Sequence, residues 1–146
     1  MWNYLRYTTV SMLALVAIAS TMWGGWGMWV GFFAAILLAI GGDLVFGDDV
    51  SEPAYRHPWL LDLGLYSNLP LMMGLTFAFA WQLAPTDVLG IGALVYDISG
   101  IDLVAHKAHN QWWHYLGGGA CLGLFYGVCG TNVAHELSHR TWAVPA

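Results

Sequence analysis

Charged residues are scarce in this sequence of 146 residues. Lysine and arginine together number four, and all charged residues make up 9% of the chain, against 58% hydrophobic residues. Soluble domains carry about 25% charged residues, so the composition does not fit a soluble domain. Four basic residues cannot form the basic surface that nucleic acid requires, and we expect no nucleic-acid partner. The composition instead indicates a protein embedded in lipid.

Cysteine is equally rare. Cys121 and Cys129 lie in one apolar run. On a single helix their Cα atoms would be roughly 12 Å apart, which is too far for a disulfide bond. We interpret both as small apolar packing residues, with metal ligation as the alternative.

Long apolar runs are the main feature that the sequence does have. A membrane span needs about 20 mostly apolar residues, and in lipid such a span forms a helix. We therefore predict an all-α integral membrane bundle. Its four transmembrane helices are predicted at about Tyr4–Met22, Trp26–Phe46, Leu60–Leu83 and Trp112–Asn132, the last continuing through His139. The stretch 85–111 contains Gly90, Gly92, Gly100 and three aspartates, so we expect an interfacial or re-entrant segment there.

The few basic residues are unevenly distributed over this layout. Arg6, Arg56 and Arg140 fall on one side of a four-span bundle, and Lys107 falls on the other. The positive-inside rule makes the arginine side cytoplasmic. Both termini are then cytoplasmic, in what we expect to be a bacterial inner membrane. A cleaved signal peptide that begins near Arg6 is the alternative.

The motif that carries chemistry is "NVAHELSHR", residues 132–140, called the histidine motif below. At 100° per residue, Asn132, His135 and His139 share one helix face. Two imidazoles at this spacing can hold one metal ion or two adjacent ones, and Asn132 can orient an imidazole through a hydrogen bond. The same letters, H-E-x-x-H, are the zinc-protease signature, in which Glu136 is the general base.

The other four histidines do not add to this motif. His114 and His135 are 21 residues apart in the sequence, which is roughly 31 Å along one helix. We interpret His106, His109 and His114 as interfacial residues beside Trp112. His57 is interpreted as a solvated loop residue.

The histidine motif resembles the first histidine box of the integral-membrane alkane monooxygenases, in the membrane fatty-acid desaturase and hydroxylase superfamily. The segment "DLVFGDDVSEP", residues 43–53, is similar to the segment after their second span. The resemblance covers roughly residues 25–142. It implies that residues 1–146 are the N-terminal part of one desaturase-like domain of about six helices.

This resemblance also implies a chemistry. His135 and His139 would be ligands of a cytoplasmic-side diiron centre, and Glu136 would be a hydrogen-bonding neighbour. The reaction would be O₂-dependent hydroxylation of a terminal methyl group, with electrons from rubredoxin or ferredoxin and its reductase. If the second span lines the pocket, Ala34 and Ala35 leave room for the substrate. The later histidine boxes are absent, so we expect the isolated chain to be inactive.

Other functions remain open at this point. Fatty-acid desaturation or hydroxylation belongs to the same superfamily, and oxidation of aromatic methyl groups occurs in close relatives. A membrane zinc metalloprotease would use the same H-E-x-x-H letters. A four-span membrane protein without enzymatic activity is a further alternative.

Overall fold

The regular elements of this chain are helical throughout the part that the structure describes. The computed structural model describes residues 2–46, 57–131 and 135. The elements are α1 (Trp2–Trp23), α2 (Gly27–Phe46), α3 (Pro58–Leu83), a 3₁₀ turn (Val88–Gly90), α4 (Ile91–Ser99), α5 (Leu103–Ala108), α6 (Trp112–Phe125) and a π turn (Tyr126–Gly130). The prediction of an all-helical protein is confirmed for these residues.

The four long helices pack around a small apolar core. α1 packs against α2 and α3, and α2 packs against α6. The buried core residues are Ala14, Ala17, Met72, Leu75, Cys121 and Phe125. A Cβ atom at Gly31 would lie 2.6 Å from both Ala17 Cβ and Cys121 Sγ, so this glycine allows α1, α2 and α6 to approach closely. Small residues at helix contacts are typical of packing in lipid. Cys121 is a buried packing residue, as predicted, whereas the interpretation of Cys129 concerns a side chain outside the described part.

One end of the bundle is closed by a polar network. Gly24 and Gly25 form the α1–α2 turn with φ of 81° and 55°, values that glycine adopts without strain. Gln82 Nε2 donates hydrogen bonds to Thr21 O (2.8 Å) and Met22 O (2.7 Å). Asn110 Nδ2 donates to Gln82 Oε1 (2.8 Å), and Asn110 Oδ1 accepts from Gly25 N–H (2.7 Å). α6 begins at this end, so His135 lies toward the opposite end.

The observed long helices lie where the four spans were predicted. Among the described residues, the helix Trp59–Leu83 is long and apolar enough to cross a membrane, and Thr8–Trp23, Gly27–Gly42 and Val88–Ser99 are shorter apolar helices. The four-span layout therefore stays a prediction. The predicted fourth helix is helical from residue 112 to residue 131, and it contains a π turn at Tyr126–Gly130.

Candidate functional site

His135 is the one residue of the histidine motif within the described ranges. It lies in helical conformation beyond the π turn, and its side chain is exposed. Asn132, Glu136 and His139 lie outside the described residues, as does the acidic segment 47–53. The metal-binding roles of His135 and His139, and the supporting roles of Asn132 and Glu136, therefore stay predictions.

The residues that the structure describes form no metal site by themselves. Within residues 2–46, 57–131 and 135, no three His, Cys, Asp or Glu side chains form a group that could hold a metal ion. An exposed imidazole on a helix is a suitable ligand for iron as well as for zinc. His135 thus has the chemistry of a metal ligand, and a metal centre that included it would need further ligands.

An apolar cavity lies beside the helix that leads to His135. Its volume is about 210 Å³, and α1, α2, α6 and the π turn all contribute to its wall. The nine lining residues are all apolar: Val10, Leu13, Ala35, Ile36, Leu38, Ala39, Leu124, Phe125 and Val128. Ala35 and Ala39 are one helical turn apart on α2, and their short side chains leave this space. The cavity is open on one side, since Val10, Leu38 and Val128 in its wall are 37%, 46% and 52% exposed. Its volume exceeds the roughly 150 Å³ of an apolar cavity that can hold benzene, so it has room for a small hydrocarbon.

The histidines at the other end of the bundle have structural contacts. His114 is buried, with 7% of its surface exposed, and its Nδ1 accepts a hydrogen bond from the Gln111 N–H at 3.0 Å. His114 thus helps to begin α6, and its place at the membrane interface stays a prediction. The His106 ring packs edge to face against Trp23, with centroids 4.7 Å apart. His109 Nδ1 lies 2.8 Å from Ala105 O.

A cluster around Asp87, not expected from the sequence, anchors α4. The Asp87 carboxylate accepts hydrogen bonds from Gly92 N–H (2.8 Å), Ala93 N–H (3.0 Å) and Trp81 Nε1 (3.2 Å). The two backbone hydrogen bonds are the main reason that the pKa of Asp87 lies below its ordinary value. Lys107 Nζ lies 4.3 Å from the Trp81 ring centroid. The sequence contained one signal for this cluster. Asp87 follows a proline that comes after the end of α3, and aspartate is favoured at the beginnings of helices.

Comparison with known proteins points to an oxygenase. The chain is 25% identical to the xylene/toluene monooxygenase hydroxylase component XylM of Pseudomonas putida, over an alignment of 151 residues. The alignment includes 94% of this chain and 40% of that protein, so the chain spans well under half of its relative's length. No protein-family model and no solved structure matches the chain. The similarity supports a monooxygenase, an oxidoreductase associated with the membrane.

Proposed function

We propose that this chain is the N-terminal part of a membrane diiron monooxygenase that hydroxylates an unactivated C–H bond of an apolar substrate with O₂. The observation that carries the proposal is the similarity to a xylene/toluene monooxygenase component over 94% of the chain. The histidine motif and the apolar cavity support it independently. Electrons would come from a rubredoxin or ferredoxin and its reductase.

The surface of the bundle supports a membrane location. Large apolar side chains are exposed on all four long helices, among them Leu15, Leu37, Leu63, Leu69, Met73 and Leu116. Soluble monomers rarely expose continuous apolar areas beyond a few hundred Å². We propose that α1, α2, α3 and the helix that begins with α6 cross the bilayer. Both termini are then in the cytoplasm.

The chain's own residues have three tasks in this proposal. His135 and His139 bind iron, while Asn132 and Glu136 orient the imidazoles by hydrogen bonds. The apolar wall of the cavity holds the apolar substrate. When bound, the two irons supply the activation of O₂ that oxidation of a C–H bond requires. Further ligands would come from the remainder of the complete protein.

The cavity favours a small hydrocarbon as the substrate. Its wall offers no polar group among the nine lining residues that would recognise a carboxylate or a headgroup, which argues against a free fatty acid. The name of the relative favours a methyl-substituted aromatic hydrocarbon such as xylene or toluene. The terminal methyl group of an alkane is the second candidate, because the resemblance of the histidine motif is to the alkane monooxygenases.

The experiment is a hydroxylation assay on membranes that contain the complete reading frame around this chain. Toluene, xylenes and medium-chain alkanes are supplied with O₂ and a reductant, and the alcohol products are measured. Ala39→Phe fills the cavity and should lower kcat/KM by about tenfold or more, which equals roughly 1.4 kcal/mol. Ile40→Phe is the matched control, because Ile40 is the next residue and faces outward with 57% exposure. Absence of any O₂-dependent alcohol product contradicts the proposal.

A further inference from the structure

The segment between α3 and α5 exposes large apolar side chains on one side. On α4, Leu94 and Ile98 are 55% and 78% exposed. They are four residues apart, so they lie about 40° apart around the helix. Leu89, in the 3₁₀ turn before α4, is 81% exposed. We call these three residues the apolar ridge.

The other sides of α4 are different in character. Gly92 is buried, and a Cβ atom there would lie 2.6 Å from Val104 Cγ2, so this side packs closely against α5. Tyr96 and Asp97 are exposed. Tyr96 lies about 160° around the helix from each ridge residue of α4. A helix with a packed side, an apolar side and a polar side is suited to the boundary between lipid and water.

Side-chain contacts hold α4 at the level where α3 ends. The Asp87 carboxylate accepts hydrogen bonds from two N–H groups in the first turn of α4 and from Trp81 Nε1 in the last turn of α3. Lys107 Nζ of α5 donates to Thr86 O at 2.9 Å. Leu89 has φ of 61°, a left-handed conformation that is unfavourable for leucine. Such a conformation persists where the surrounding structure enforces it.

Tryptophan side chains lie at the same level. Trp23 and Trp26, at the α1–α2 turn, and Trp112, in the first turn of α6, are all exposed at this end of the bundle. The contact between the His106 ring and Trp23 joins α5 to the end of α1. Tryptophan is enriched where a membrane meets water. These residues therefore indicate that α4 lies at the depth of the lipid headgroups.

A lipid leaflet fits the apolar ridge better than a protein partner does. A stable protein interface buries about 800 Å² on each partner, and three side chains offer far less than that. Lipid needs no specific contact. Leu83, the last residue of α3, is exposed as well, so exposed apolar side chains extend from α3 to this level.

We propose that α4 and the turn before it form an interfacial helix, whose apolar ridge inserts among the acyl chains of the leaflet at this end of the bundle. Tyr96 and Asp97 then face headgroups and water. Because Asp87 ties α4 to α3, the inserted ridge holds the end of α3 at the membrane surface. Of the two arrangements that the sequence leaves open for residues 85–111, these contacts favour the interfacial one over the re-entrant one. The inference rests on the membrane location in the proposed function.

The test measures which side of α4 contacts lipid in the complete protein, reconstituted in phospholipid bilayers with its native cysteines replaced by alanine. Nitroxide labels are attached at the single substitutions Leu94→Cys, Ile98→Cys, Tyr96→Cys and Asp97→Cys. Electron resonance measures the collisions of each label with O₂, which concentrates in lipid, and with a neutral nickel chelate, which stays in water. We expect the ratio of O₂ to nickel collisions to be several-fold higher at the two ridge positions than at the other two.

Leu37→Cys on the exposed side of α2 is the matched control, because it reports on a proposed span. If the Leu37 label collides with nickel instead of O₂, the membrane location fails and the inference fails with it. If the Leu37 label is in lipid and all four labels on α4 collide with nickel, the inference alone fails. Lipid-like values at all four positions would show a re-entrant segment. Few collisions with either reagent at the ridge would show a protein partner. Both of these outcomes overturn the inference.

Discussion

At the scale of single residues, Glu136 distinguishes the two chemistries that the histidine motif permits. In a diiron oxygenase the indispensable groups are the imidazole ligands. In a zinc protease the glutamate between them is the general base, and metal binding does not depend on it. The imidazoles are metal ligands in both mechanisms, so the effect of altering Glu136 separates the two.

We predict that His135→Ala or His139→Ala in the complete protein loses iron and hydroxylation together, because each removes a ligand. Glu136→Gln should keep the iron and lower turnover by less than about tenfold, whereas loss of a general base costs about 10²–10⁴-fold. Metal analysis and the hydroxylation assay are made on the same membranes. His109→Ala, at the other end of the bundle, should leave both unchanged. Peptide cleavage that stops in Glu136→Gln would exclude the oxygenase.

Asp87 carries a prediction about pH. Its pKa is lowered in the folded protein by the N–H groups of Gly92 and Ala93, so its ionised form stabilises the fold at pH values above its ordinary pKa of 3.8. Asp87→Asn should lower the Tm at neutral pH, and the difference from wild type should disappear as the pH falls below that value. Thermal unfolding in detergent measures this. Asp97→Asn, an exposed aspartate of α4, is the control, and an equal loss there would refute the role of Asp87.

At the scale of the helices, Gln82 joins the ends of α1 and α3. Its side chain is 1% exposed, and its hydrogen bonds to Thr21 O and Met22 O satisfy carbonyl groups at the end of α1. Asn110 extends this connection to the α1–α2 turn. The ends of the helices are thus held by side-chain amides.

We predict that Gln82→Met lowers the free energy of unfolding by about 2–4 kcal/mol, because it leaves Met22 O and the Asn110 amide without these partners in a buried place. The volume of the side chain is nearly conserved, so a cavity does not explain the loss. Chemical or thermal unfolding in detergent provides the value. Leu83→Met, at the exposed neighbouring position, should change stability by less than about 0.5 kcal/mol. Equal stability of Gln82→Met and wild type would show that the network contributes nothing.

At the scale of the whole molecule, the arrangement in the membrane is the main prediction. Three of the four predicted spans precede Ala84, and all four precede Ala146. With a cytoplasmic N-terminus, Ala84 therefore lies on the periplasmic side and Ala146 lies in the cytoplasm. Reporter fusions at these two residues should therefore give signals from opposite sides. Signals from the same side would contradict the four-span layout and the cytoplasmic location of the histidine motif.

The sequence by itself determined the helices and their order. The runs that became α1, α2 and α3 are apolar over most of their length, and hydropathy acts locally, so their positions could be predicted within a few residues. The histidine motif was equally evident, because its residues are close together in the chain. Of Ala34 and Ala35, which were expected to leave room for a substrate if the second span lines the pocket, Ala35 lines the cavity and Ala34 does not.

Only the tertiary structure decided how these pieces act together. The hydrogen bonds of Gln82 connect residues some 60 positions apart, and the cavity needs side chains from three helices. A local sequence pattern predicts neither these hydrogen bonds nor the cavity. The π turn also involves a contact between distant residues. Its extra residue is accommodated where Tyr126 meets Thr76 of α3. Spacing along the sequence assumes a regular helix, so a sequence pattern does not predict the π turn Tyr126–Gly130.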